Sequence, residues 1–224
     1  MEIFDSHAHI YPEKIAEKAT TAIGDFYNIK MEENKGTPSR LIEVGNKAGI
    51  SRFLVHSCAT KSSQVHSINE FILEEMKLHP EFIGFMTLHQ DLTLEEMKKE
   101  IEFCVKNGFK GIKLHPDFQK FDIDGEDADK IYRAIIETKC NFPILFHMGD
   151  NRYEYSKPEK LCIVAKKYPT INFIGAHFGG YRCWDRVEQY KGLENVYFDT
   201  SSSLAFISSE RAKELIRFFT ADRF

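Results

Sequence analysis

No apolar run in this 224-residue chain approaches the roughly 18 residues of a membrane span. Nor does the chain open with a basic stretch, an apolar run and a small-residue cleavage site. A membrane partner and a secretory leader are therefore not expected, and a cytoplasmic protein is. Positive charge is not in excess either: 30 Lys and Arg stand against 34 Asp and Glu, a formal charge of −4, which leaves no electrostatic footprint for nucleic acid. Cysteine is sparse and odd in number. Cys58, Cys104, Cys140, Cys162 and Cys183 lie at least 21 residues apart, which excludes paired zinc-finger or redox spacings and points to buried thiols in a reducing compartment. Low-complexity tracts are absent, and no Gly-rich phosphate loop follows the first strand-like segment, so a dinucleotide site is not expected there.

What is present is a regular alternation. Short apolar runs, "RFLVHS" (52–57), "FIGFMTLH" (82–89), "FKGIKLH" (109–115), "PILFHMG" (143–149), "INFIGAH" (171–177) and "VYFDTS" (196–201), have strand length and are bounded by Gly, Pro or Asn. With "EIFD" (2–5) in front they make seven candidate strands. Amphipathic segments lie between them at 67–80, 94–108, 127–139, 158–169 and 208–219; in the second, Met97, Ile101, Cys104 and Val105 share a face and Gly108 stops it. Successive strand ends fall 27 to 32 residues apart, the size of a βα repeat. Such alternation demands a parallel sheet, and runs such as "FLV" suit strands buried on both faces. The expected fold class is α/β, a (β/α)8 TIM-type barrel in one domain over 1–224, with an open doubly wound sheet as the alternative. The polar stretch 27–40 is expected to form a long loop over the barrel mouth.

Seven of the nine histidines stand at strand ends: His7 and His9 after the first, then His56, His89, His115, His147 and His177. In a parallel barrel all these ends open on one face, where active sites are built. Side chains alternate along a strand, so His7 and His9, with Ala8 between them, point the same way and can reach one divalent cation at about 2.0–2.1 Å. His147 is the better third ligand. His177 divides between ligand and acid/base group, and Gly179 and Gly180 behind it permit close backbone approach. His115 is a candidate for substrate or proton work, or a cap fixed by Pro116. His56 and His89 read as wall residues, His66 and His79 as surface. Lys113 is either a carboxylated bridge between metals or, more simply, an internal lysine paired with a carboxylate; Asp199 orients a histidine, touches substrate or caps the turn into "TSSS". Asp5 supports the histidines from behind.

Five stretches in order, "DSHAHIYP", "KGIKLHPDFQ", "FHMGD", "FIGAHFGG" and "VYFDTSS", resemble the amidohydrolase superfamily, in particular the amidohydrolase-2 group that also holds metal-dependent decarboxylases. The resemblance runs from residue 3 to residue 219. It implies a divalent metal, usually zinc, on the His-x-His of the first strand, a histidine ending the fifth and an aspartate ending the eighth, with a histidine ending the sixth to orient or protonate. Carried over by position, His7, His9 and His147 are the metal ligands and His177 the sixth-strand histidine. His177 and His115 are then the catalytic candidates, and Lys113 and Asp199 the substrate-binding ones. The aspartate has no counterpart: the chain stops at "ADRF" where relatives continue, so an open seam and an early end are expected. The expected activity is metal-dependent hydrolysis of a small amide, ester or lactone. Non-oxidative decarboxylation on the same fold is the alternative, and an inert barrel with a binding role a further one. Aromatics at 181–190 are compatible with a homo-oligomer.

Overall fold

The computed structural model describes residues 3–31, 33 and 35–224. Strands β1 (Ile3–His9), β2 (Ile50–His56) and β3a (Phe82–Gly84) pair in parallel in sequence order, as do β3b (Met86–Thr87), β4 (Ile112–Leu114), β5 (Ile144–Phe146), β6 (Phe173–Gly175) and β7 (Val196–Phe198). The order never reverses, as it would at the switch point of a doubly wound sheet, so the α/β barrel is the architecture. Helices α1 (Glu13–Tyr27), α2 (Pro38–Lys47), α3 (Val65–Leu78), α4 (Leu94–Lys106), α5 (Pro116–Gln119), α6 (Glu126–Glu137), α7 (Pro158–Lys167) and α8 (Ser209–Phe219) lie between or after the strands.

The third stave is broken at Phe85, yet the ring carries through it. Phe85 N donates to Val55 O at 3.0 Å and Met86 N donates to Gly111 O at 2.9 Å. Phe85 packs inside the barrel with Leu54, Leu145 and Ala176. A Cβ at Gly111 would lie 2.4 Å from the Phe85 ring, so glycine is what lets this side chain fill the centre. The larger cluster lies between strands and helices and contains Phe53, Val55, Met86, Ile112, Ile144, Phe146 and Phe173, most of them under 2% exposed. Neighbours along a strand thus bury on opposite faces, and the alternation aims His56, Lys113, His115 and His147 into the same interior as Leu54 and Leu145.

Among the described residues β1 and β7 share no backbone pairing. What crosses this seam is a side-chain contact, His7 Nδ1 to Asp199 Oδ2 at 2.7 Å. Beside Asp199, at the same end of β7, the Phe198 ring packs 5.3 Å from that of Phe224, which also lies 5.3 Å from the Phe178 ring.

Two expectations are corrected. β1 runs on to His9, past the expected end at Asp5, so the histidine pair belongs to the strand itself; Glu2, the other end of the expected strand, lies outside the described residues. The expected loop 27–40 is shorter, because Tyr27 ends α1 and Pro38, behind the Thr37 cap, starts α2. Glu32 and Asn34 of that loop lie outside the described residues.

Candidate active site at the barrel mouth

The strand ends surround a cavity of about 530 Å³ whose wall includes His7, His9, His115, His147 and His177, together with Tyr27, Phe118, Tyr181 and Phe206. His89 is not part of this wall; its Nδ1 accepts the Asp91 N–H. Lys113 and Asp199 do not line the cavity either and stand behind the histidines, both buried.

On the β1–β2 side, His9 pairs with His56 across the strands, and one ring nitrogen each of His7, His9 and His56 lies within 4.8 Å of the other two. His56 is fully buried, and among the described residues neither of its nitrogens has a hydrogen-bond partner. A buried imidazole without partners is costly, and a divalent cation would relieve it. Burial pushes the proton affinity of all three imidazoles down, and the Lys113 ammonium adds to this, so they are neutral donors of the kind a metal needs. The donor set fits a divalent cation. His147 is not in this group.

His7 is held from both sides. Asp5 accepts the His7 backbone N–H at 3.0 Å, Asp199 receives the ring Nδ1–H, and Lys113 Nζ lies 3.2 Å from Nε2. Burial alone would raise the Asp199 carboxyl, but His7 and the donors at its other oxygen hold it well below the usual carboxylate range. Those donors are the His177 N–H, the Ser201 N–H and the Ser201 hydroxyl, at 2.9, 3.0 and 2.6 Å. Desolvation brings the Lys113 ammonium down to about 8.

On the β4–β6 side every imidazole is partnered. His115 caps α5, its Nδ1 accepting the Phe118 N–H, and its ring is stacked between Phe118 at 3.7 Å and His147 at 4.0 Å. With Nδ1 as acceptor, the proton sits on Nε2, which faces the Tyr27 hydroxyl at 2.9 Å. His147 Nε2 faces Gly149 O at 3.1 Å, His147 Nδ1 faces His177 Nε2 at 3.0 Å, and His177 Nδ1 faces Ser201 O at 2.8 Å. Two neutral imidazoles own two N–H groups, yet these three contacts need three. With both carbonyls satisfied, two lone pairs confront each other between His147 and His177. Burial, which lowers His177 to about 3 and His147 well below its usual value, resists the extra proton. Asp117 sits behind, its Oδ2 3.6 Å from His147 Nε2, and burial pushes its carboxyl up to about 7.

The mouth loops are pinned by glycine. Gly149 has φ +75°, and a Cβ there would lie 2.8 Å from the backbone of Gly180 and Tyr181. This close approach lets Tyr181 N donate to Met148 O and brings the loops after β5 and β6 together.

The amidohydrolase family profile, in its amidohydrolase-2 group, matches residues 4–224. The chain belongs to the amidohydrolase family. Among curated proteins no significant match was found. Several solved structures share the fold. The 5-carboxyvanillate decarboxylase of Novosphingobium aromaticivorans DSM 12444, complexed with manganese and 4-hydroxy-3-methoxy-5-nitrobenzoic acid, has a TM-score of 0.71 and 17% identity over 99% of this chain and 84% of its own. An uncharacterized TIM-barrel protein of Bordetella bronchiseptica gives 0.76 and 16% over 100% and 84%. The 5-carboxyvanillate decarboxylase of Sphingomonas paucimobilis gives 0.70 and 9% over 99% and 86%. Among the described residues no helix is long and apolar enough to cross a membrane.

His56, a wall residue by its place in the sequence, stands with the cation donors, and Tyr27, outside every motif, reaches into the mouth. The register that seats His56 beside His9 could have flagged the first, since adjacent parallel strands with histidines at equivalent ends bring the rings together. For Tyr27 the only signal was its place at the edge of the polar mouth segment.

Proposed function

We propose that the chain is a metal-dependent enzyme that removes carbon dioxide from a small aromatic carboxylic acid without oxidation. The observation that carries this reading is the cavity wall, in which the flat rings of Tyr27, Phe118, Tyr181 and Phe206 lead down to imidazoles. Such walls suit a planar ring, and decarboxylation asks for a group that delivers a proton to the ring carbon, which an imidazole can do. The resemblance in fold to two decarboxylases of an aromatic acid supports the same choice.

His7, His9 and His56 would hold the cation; bound there, it supplies positive charge for the substrate carboxylate and a neighbouring oxygen. The remaining work belongs to the protein. The rings of Tyr27, Phe118, Tyr181 and Phe206 flank the substrate ring and exclude water. An arriving anion offsets the burial that keeps the histidines neutral, so the contact between His147 Nδ1 and His177 Nε2, one proton short, takes up a proton. That proton goes to the ring carbon as the C–C bond to the carboxylate breaks, leaving C–H on the ring and releasing carbon dioxide. His177 is the proton-handling residue in this scheme, His115 an orienting one, and Lys113 and Asp199 hold His7.

Hydrolysis of an amide, ester or lactone is the second reading, favoured by the family's name and by three imidazole donors of the kind that activate water on zinc. Protein loaded with manganese and, separately, zinc, incubated in D₂O with hydroxybenzoates, amides and lactones, separates the two. Carbon dioxide release with deuterium at the vacated ring carbon is expected; water addition to an amide or lactone without carbon dioxide would reverse the assignment. Failure to take up either metal would leave the inert binding barrel.

A further inference from the structure

We propose that Tyr27 is a substrate-contacting residue that closes the cavity and presents its hydroxyl hydrogen to a substrate oxygen, with His115 and Arg152 as the positioning residues that aim it. This rests on the cavity being the substrate site described above. Tyr27 ends α1, where Asn28 adopts a left-handed φ of 52°. A Cβ at Gly24 would lie 2.9 Å from Ile29 O and from Met31 Cγ, so glycine allows residues 29–31 to fold back over the helix end and into the cavity wall. The Tyr27 hydroxyl reaches across to the far side of the mouth, 2.9 Å from His115 Nε2 and 3.2 and 3.4 Å from the two nitrogens of His147.

The direction of its hydrogen follows from the partners. Because the Phe118 N–H occupies His115 Nδ1, His115 donates through Nε2 and Tyr27 Oη accepts. The Tyr27 hydrogen is thereby left over and turned toward His147 and the cavity. An oxygen of a bound substrate can accept it directly.

Arg152 fixes the reach. Its guanidinium lies 4.6 Å from the Phe26 ring, 5.6 Å from that of Tyr27 and 5.3 Å from that of Tyr153, donates to Phe26 O, and makes a two-pronged bond to the buried Asp150 carboxylate at 2.9 and 2.7 Å. The end of α1 is thus tied to the loop after β5. Planar stacking and forked donation together are what a lysine could not supply.

The sole tryptophan, Trp184, lies 6.3 Å from the Tyr181 ring of the cavity wall and reports occupancy by fluorescence. Manganese-loaded protein is titrated with 4-hydroxy-3-methoxy-5-nitrobenzoate and with 2- and 4-hydroxybenzoate. Tyr27→Phe keeps the ring and its packing and is expected to weaken binding about tenfold, the worth of one well-placed hydrogen bond. Arg152→Gln is expected to weaken it about threefold in the wild-type background and not at all in Tyr27→Phe, because it acts only through Tyr27. In turnover, Tyr27→Phe should raise KM by a similar factor with kcat little changed. Binding unchanged within twofold in Tyr27→Phe, or full additivity of Arg152→Gln with it, overturns the assignment while leaving the decarboxylase reading intact. Failure of the wild-type protein to bind any of the three acids overturns both.

Discussion

The two halves of the histidine ring differ in what they lack. On the β1–β2 side, beside a His7 held by Asp199 and Lys113, two imidazoles are short of partners: among the described residues His56 has none, and His9 has only the Tyr11 hydroxyl at 3.5 Å. On the β4–β6 side they are short of a proton: each nitrogen of His115, His147 and His177 faces a group, and the N–H groups do not go round. Lone pairs without partners suit a cation, whereas a closed chain missing one proton suits a group that accepts and returns it. Chemically similar side chains at equivalent strand ends are thus assigned different work by their neighbours.

The sharpest way to break this contrast is to delete one imidazole from each half. His56→Ala should cut manganese affinity at least about tenfold, since a lost donor costs no less than the loss of an outer hydrogen-bond partner. His147→Ala should keep its metal and lose turnover. Metal content after gel filtration decides; an apo His147→Ala protein beside a loaded His56→Ala would return the third-ligand role to His147, where the family resemblance put it.

The next largest effect is expected at the seam. Asp199 satisfies His7 on one strand and the His177 and Ser201 backbone on the others, so Asp199→Ala leaves several buried donors unpaired. Removing one partner of a buried pair costs about 3–5 kcal/mol, to be read as the loss in urea unfolding free energy at pH 7.5. The wild-type contribution of this carboxylate, its folded pKa being depressed, is fully present above the unfolded value of about 3.9 and is lost as pH falls below it.

Much of this contrast was invisible in the sequence, for a physical reason. The strands were legible because burial on both faces writes unbroken apolar runs, as in "FLV" and "PILF", where Phe53–Val55 and Ile144–Phe146 are all buried. The shared location of the histidines followed from parallel topology alone. Their partners did not. That His115 donates through Nε2 depends on the Phe118 N–H reaching its other nitrogen, and that His56 is an orphan depends on parallel register with β1. The break at Phe85 was hidden because "FIGFMT" has the composition of a continuous strand, and the interruption arises from fitting one large ring opposite Gly111. Tyr27 lay outside any motif, and its role comes from a helix end crossing the mouth.

Acid should load both halves in the metal-free protein, and a substitution on one side measures its share. A base whose folded pKa is lowered binds fewer protons in the native state, so stability is unaffected above its unfolded value near 6.5 and falls as pH drops below it. With His177 lowered to about 3, the penalty from this residue at pH 5 is about 2 kcal/mol. Thermal unfolding of metal-free protein between pH 7.5 and 5 should therefore show a decline setting in near 6.5, above the carboxylate range. His177→Gln should make it shallower by this residue's share, the other buried imidazoles keeping the rest. An unchanged slope in that variant would mean that folding leaves the proton affinity of His177 where it stands in the unfolded chain.

The smallest effect tests whether the two halves communicate. The Ser201 hydroxyl donates to Asp199 Oδ1 at 2.6 Å and lies 3.0 Å from His177 Nδ1, so it joins the carboxylate that steadies His7 to the imidazole that handles the proton. Ser201→Ala deletes that bridge but leaves the Ser201 carbonyl on His177 and the Ser201 N–H on Asp199. One hydrogen bond is worth about 1 kcal/mol, or about 2–4 °C in Tm for a chain of this size. If the halves work separately, metal affinity and turnover should each change by less than about threefold. A large fall in metal affinity with stability barely altered would show that the proton-handling side sets the donor strength of His7 through Asp199, and the division of labour would then be one coupled network.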